Sequence, residues 1–150
     1  MTKRSTVEEF LQQKRFAVAG VSQKKRKFGY VVYKNLLSKG YNVFPVNPHA
    51  KTIDGNPCYE SLLALPEKVD AAVIVTPPPQ TEKIVRDAHE AGIARLWMQQ
   101  GAESPEAIRF CEEKGISVVH GECILMFAEP AGWPHRLHRL IWKWLGKLPK

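Results

Sequence analysis

The residues best suited to chemistry stand where apolar runs stop. Phe16-Ala17-Val18-Ala19 ends at Gly20, and the loop Gly20-Val21-Ser22-Gln23-Lys24-Lys25-Arg26-Lys27 then joins a glycine, a hydroxyl and four consecutive cations ahead of Phe28-Gly29. Glycine lets the backbone turn and approach an anion closely, serine offers a hydroxyl, and free amides at a following helix start add partial positive charge. That set suits a phosphate. The plain alternative is a solvated charge run; the position after the first strand of an α/β chain favours phosphate. Three further stretches end strands in the same way. Pro45-Val46-Asn47-Pro48 is stiffened by two prolines that remove amide donors, which makes a preformed wall for a flat ring or a ribose. Thr76-Pro77-Pro78-Pro79 offers an apolar shelf at little entropic cost, although proline also simply ends strands and starts helices. Gln99-Gln100-Gly101 carries two amides that can satisfy the amides of a ligand arm.

Other chemistries lack their residues. The dinucleotide fingerprint GxGxxG is absent, and no acid follows Val46 to hold a ribose hydroxyl, which weighs against an NAD enzyme. His49, His89 and His120 have no partner at triad or metal-ligand spacing, and His89 falls on the polar face of its helix. Cys58, Cys111 and Cys123 form neither a CxxC pair nor an even framework and read as reduced thiols. No catalytic residue and no metal ligand is expected.

These loops need elements to hold them. Ser5-x-x-Glu8 and Thr6-x-x-Glu9 are overlapping capping boxes for a short leading helix over 5–14. Continuous apolar runs at 16–20, 41–46, 69–75, 95–98 and 116–119 read as strands buried on both faces. Between them, Phe28, Val32 and Leu36 recur at helical spacing up to Gly40, Ile84, Val85, Ala88 and Ala91 up to Gly92, and Ser104-Pro105-Glu106 caps a helix running to Gly115. A brief extended piece near Cys58-Tyr59, before the apolar SLLAL helix, predicts a short third strand. Strands separated by helices require right-handed crossovers. The expected fold is therefore a doubly wound, mostly parallel, Rossmann-like sheet in a three-layer α/β/α sandwich, with strand order 3-2-1-4-5-6.

The 150 residues, 44% hydrophobic and 25% charged, suit one domain with a real core. No apolar run is long enough to span a bilayer and MTKRSTVEEF lacks a signal-peptide core, so a cytoplasmic location is expected. The net charge of +7 is local: Lys24–Lys27 and the set Arg136, Arg139, Lys143, Lys147 and Lys150 hold the excess over a nearly neutral body. Nucleic-acid binding is not expected from that distribution. The second basic spot belongs to a tail, 129–150, set apart from a domain over 1–128. There Trp133, Leu137, Leu140, Ile141, Trp144, Leu145 and Leu148 share one helical face opposite Arg136, Arg139, Lys143 and Lys147, and Trp142 lies off the stripe. Packing on the domain or on a second subunit, giving a homodimer, or peripheral contact with an anionic membrane, would each cover that face.

AVAGVS, GYNVFPVNP followed by Gly-x-Pro-x-Tyr-x-Ser-Leu, KVDAAVIVTPP, LWMQQGAESPEA and KGISVVHGEC occur in order over roughly residues 14–123. Together they resemble the CoA-binding domain family, the stand-alone Rossmann-like domain related to the N-terminal part of the succinyl-CoA synthetase alpha subunit. The resemblance implies coenzyme A or an acyl-CoA as the small-molecule ligand. Gly20, Val21, Ser22, Gln23, Lys24, Lys25 and Arg26 would meet its phosphates; Asn47 and Pro48 would line the nucleotide side. Thr76, Pro77 and Pro78 would form the opposite lip, and Gln99, Gln100 and Gly101 would face the pantetheine. Cys123 matches a cysteine often found at this position; it reads either as a thiol near that of the coenzyme or as a small apolar residue. The parts of the synthetase that carry its phosphorylated histidine have no counterpart in this length, which favours a binding or regulatory module. The runner-up readings are an NAD(P)-binding redox enzyme or sensor and an accessory subunit of an acyl-CoA-handling enzyme.

Overall fold

In the computed structural model, residues 4–126 are described; the tail and its expected helix lie outside them. Helix α1 (Arg4–Leu11) leads into strand β1 (Arg15–Ala19), helix α2 (Phe28–Ser38) and strand β2 (Asn42–Val46). A small hairpin of β3 (Thr52–Ile53) and β4 (Asn56–Pro57) and a 3-10 turn at Leu62–Ala64 follow. Then come β5 (Ala71–Ile74), α3 (Pro78–Glu90), β6 (Arg95–Gln99), α4 (Pro105–Glu113), β7 (Ser117–Glu122) and a last 3-10 turn, Ile124–Met126. Ser5 and Thr6 fall inside α1 and not ahead of it. Ser104 does cap α4, its hydroxyl accepting from the Ala107 amide at 3.0 Å.

All pairings in the five-stranded sheet are parallel and its order is β2-β1-β5-β6-β7. The expected third strand does not form; only an isolated parallel bridge joins Val46 to Tyr59. The reason is proline. The Tyr59 amide donates to the Pro45 carbonyl on the outer edge of β2, and Pro45 has no amide to return on that side. Pro57 is equally without a donor just ahead of the bridge.

Alternation along the strands builds two cores. Phe16 and Val18, Ala71 and Val73, Trp97 and Val119 pack under α1 and α2 with Val7, Phe10, Val32 and Leu36. Ala17 and Ala19, Ala72 and Ile74, Leu96 and Met98 pack under α3 and α4 with Val85, Ala88, Ala107 and Cys111. These layers make a Rossmann-like α/β/α fold. Trp97 is fully buried, edge-on to Phe10 at 5.3 Å between centroids, and its indole N–H donates to the Glu122 carbonyl at 3.1 Å. Burial of each such side chain stabilises the fold by about 1.5–3 kcal/mol.

Candidate functional site

Because α2 and α3 leave the sheet on opposite faces, the winding reverses between the adjacent strands β1 and β5. A cleft of about 370 Å³ opens there, at the carboxyl ends of β1, β2 and β5. Ala19 and Gly20 form its floor, Val46, Asn47, Pro48 and His49 one wall, and Val75, Thr76 and Pro77 the other. Glu60, Ser61 and Leu62 close one side, while α3 presents Gln80, Lys83, Ile84 and Asp87.

The first loop is built for close approach of backbone. Gly20 has φ +103°, and a Cβ there would lie 2.3 Å from the Val75 carbonyl oxygen; one on Gly29 would lie 2.1 Å from the Gly20 oxygen. No side chain with a Cβ fits either point, so the loop rests directly on the first turn of α2. That turn has no side-chain cap, Lys27 occupying the cap position. Asn47 pins the loop from across the cleft: its Nδ2 donates to the Val21 carbonyl at 2.6 Å and its Oδ1 accepts from the His49 amide at 2.8 Å. Ser22 Oγ accepts from the Lys24 amide at 3.1 Å, and Gln23 Nε2 donates to the Thr52 carbonyl at 3.0 Å. Val21 itself is buried. Lys24, Lys25, Arg26 and Lys27 are exposed, and none makes a salt bridge among the described residues.

The hairpin steadies the loop from outside. Tyr30 Oη donates to Asp54 Oδ2 at 2.7 Å and Lys34 Nζ lies 3.0 Å from the same oxygen. The Tyr30 hydrogen bond, then that of Lys34, holds the Asp54 carboxyl below the ordinary carboxylate range. On the other lip, Thr76 Oγ1 and the fully buried Thr81 Oγ1 are 2.8 Å apart. Pro77 caps α3, with Pro78 and Pro79 in its first turn, where a missing amide costs nothing. Helix entry thus accounts for the whole proline run, and Pro77 alone of the three lines the cleft.

Sequence reasoning missed the α3 face. Gln80, Lys83, Ile84 and Asp87 are spaced i, i+3, i+4 and i+7, a helical stripe directly after a site-bearing strand, and that was the available signal. Lys83 Nζ pairs with Asp87 Oδ2 at 2.9 Å; with the lysine side chain 74% exposed the pair adds little stability and leaves the ammonium available. Glu60 had no local signal, since the bridge between Val46 and Tyr59 is what carries it to the cleft.

Among the expected residues, Gly20, Asn47, Pro48, Thr76 and Pro77 converge on the cleft. Val21, Ser22, Gln23, Lys24, Lys25, Arg26, Pro78, Gln99, Gln100 and Gly101 are not among its lining residues. Gln99 is turned inward, buried at 3% exposure, with Oε1 accepting from the Ile124 amide at 3.1 Å. Gln100 and Gly101 are exposed at the end of β6, one strand beyond β5. Cys123 is half-buried after β7, two strands from β5. His89 is exposed and meets the Phe110 ring edge-on at 5.8 Å. No group of three metal-ligating side chains occurs among the described residues, and none of their helices is long and apolar enough to cross a membrane.

A doubly wound sheet with a glycine-floored cleft at the switch point and a cationic loop beside it defines a nucleotide-cofactor-binding type of domain. The chain belongs to the CoA binding domain family, whose model matches residues 14–129. It is 31% identical over 130 residues to acetate–CoA ligase [ADP-forming] I of Archaeoglobus fulgidus, covering 80% of this chain and 19% of the ligase. It is 29% identical to the uncharacterized protein YneT of Bacillus subtilis, covering 81% of this chain and 90% of that one. Among solved structures, a conserved hypothetical protein from Pyrococcus furiosus is 43% identical with a TM-score of 0.72, covering 75% of this chain and 97% of that one. The chain therefore spans about a fifth of the ligase and most of the two small proteins.

Proposed function

We propose that the cleft binds coenzyme A or an acyl-CoA and that the chain acts as a binding or regulatory module without catalytic machinery of its own. The observation that carries this is the convergence of Gly20, Asn47, Pro48, Thr76 and Pro77 on one switch-point cleft in a chain of the CoA binding domain family. The residues fit the ligand. Close packing of the Gly20 backbone on Gly29 sets the loop against the uncapped first turn of α2, whose amides would meet a phosphate, and Ser22, Gln23 and Lys24–Arg26 supply the loop around it. Asn47 and Pro48 serve the nucleotide side, and Thr76 and Pro77, with Pro78 behind them, the opposite lip. Gln100 and Gly101, exposed at the end of β6, continue the path for the pantetheine, while the Gln99 side chain is committed to the Ile124 amide.

One observation favours a second reading, an NAD(P)-binding redox enzyme or sensor: Glu60 supplies to the cleft a carboxylate able to accept from a ribose diol. The likeness to an acetate–CoA ligase leaves a third reading, an accessory subunit whose catalytic partner is another chain. Calorimetric titration with CoA, acetyl-CoA, NAD and NADP at two salt concentrations separates them. Salt-sensitive CoA binding that is lost when Lys24, Lys25, Arg26 and Lys27 become Ala, without NAD binding, is the expected result. Preference for NAD that Glu60→Gln abolishes would replace this reading with the second. Turnover of acetyl-CoA only when a partner chain is added would favour the third.

A further inference from the structure

Helix α2 carries an apolar flank that the described fold does not use. Its buried face, Gly29, Val32, Tyr33 and Leu36, packs on the sheet, and Tyr30 and Lys34 engage the hairpin. At 100° per residue the remaining stripe is Phe28, Val31 and Asn35, spaced i, i+3 and i+7. Phe28 is 41% and Val31 38% exposed, two of the three large apolar side chains that are exposed among the described residues. Asn35 Oδ1, on the same stripe, is buried without a hydrogen-bond partner. An exposed apolar pair beside a sheltered, unsatisfied acceptor is an incomplete surface.

The chain itself supplies an occupant. The last described turn, Ile124–Met126, packs against α2, with Leu125 against the same core cluster as Val32 and Leu36. The sequence continues from that point with a six-residue spacer, Phe127 to Gly132, and then the stripe Trp133, Leu137, Leu140, Ile141, Trp144, Leu145 and Leu148. Six residues reach about 20 Å when extended. The eleven residues of α2 span about 16 Å. The spacer is therefore long enough to bring Trp133 to either end of that flank.

We propose that residues 133–148 of the same chain dock as an amphipathic helix along the Phe28, Val31, Asn35 flank of α2. Apolar burial must drive the contact, because the other face of this segment carries Arg136, Arg139, Lys143 and Lys147 and the start of α2 carries Lys24–Lys27. Salt should therefore strengthen it, whereas salt weakens adsorption of a basic helix to anionic lipid. Docking places both basic spots of the chain beside the same helix.

The test is limited trypsinolysis of the full chain, cut sites assigned by mass spectrometry, for wild type and Phe28→Ser/Val31→Ser. Both positions are exposed, so the variant keeps its core; a Tm close to wild type verifies this. Cleavage after Arg136 and Arg139 is expected to accelerate about tenfold in the variant, the loss of ~1.4 kcal/mol of protection. It should be unchanged in Leu63→Ser, which removes a more exposed apolar side chain elsewhere, and slower for wild type at high salt. Benzoyl-phenylalanine in place of Val31 should cross-link to peptides from 133–148 within one chain. Equal cleavage rates in wild type and variant, or cross-links only elsewhere, would overturn the proposal. A wild-type dimer by light scattering that the variant reduces to monomer would assign the flank to a second copy instead. Tail cleavage that only phosphatidylserine vesicles suppress would assign the segment to a membrane.

Discussion

Asn47 and Gln99 stand at the carboxyl ends of two parallel strands, and each commits its side-chain amide to backbone. Asn47 joins the loops after β1 and β2, both of which line the cleft. Gln99 instead holds Ile124, beyond the far edge strand, and is buried. The bulge between Met98 and Gln99, where Gly121 adds a residue to β7, brings Ile124 within reach. An amide at a strand end is thus informative about a site only through what it ties down. Asn47 positions a wall of the cleft; Gln99 ties the end of β6 to the turn after β7.

Experiments can break or sharpen that contrast. The largest effect is expected for Gly29→Val, which drives a side chain into the Gly20 carbonyl on which the loop pinned by Asn47 rests; about 3 kcal/mol or more of stability should be lost in urea denaturation. Gln99→Leu should cost ~1–3 kcal/mol, because it strands the Ile124 amide, while leaving CoA affinity within about twofold. Tenfold weaker CoA binding at unchanged Tm would erase the contrast. Asn47→Leu should show the opposite balance, about 1 kcal/mol in stability and roughly a tenfold loss of CoA affinity by calorimetry. Lys83→Ala should change stability by no more than ~0.5 kcal/mol, yet weaken CoA measurably at low salt if its ammonium reaches the ligand.

The smallest effect is acid-dependent and confined to the hairpin. The Asp54 carboxylate is favoured in the folded chain, first by the Tyr30 hydrogen bond and then by Lys34, so its pKa is lowered. Its contribution is present above the ordinary carboxylate value and fades as pH falls through the lowered one. Amide protection factors at 52–56 should therefore fall in acid before those in β1 do, and Asp54→Asn should remove that difference. Equal pH dependence in wild type and Asp54→Asn would show that Asp54 does not hold the hairpin to α2.

Much of the fold was legible because alternating strand and helix periods are local properties of the chain. The runs at 16–20, 41–46, 69–75 and 95–98 became β1, β2, β5 and β6 with shifts of one or two residues at their ends. The third strand was misjudged: Cys58-Tyr59 is extended as read, but ladder growth there depended on Pro45, in another strand, having no amide to donate outward. The proline run after Thr76 was legible as a strand end, while the division of labour between Pro77 in the cleft and Pro78 and Pro79 in the helix was not.

The sequence by itself determined the parallel α/β class, the glycine-and-cation loop after β1 and the amphipathic pattern of the tail, since each follows from residue type and short-range spacing. Only the tertiary structure decided which polar groups share a cleft. Gly20, Asn47, Glu60, Thr76 and Lys83 are far apart in the chain and meet because strand order and register set β1 between β2 and β5 with α3 over their ends. Gln99 was kept from that cleft by β6 lying beyond β5 and by a bulge that turned its amide toward Ile124, geometry that no local pattern encodes.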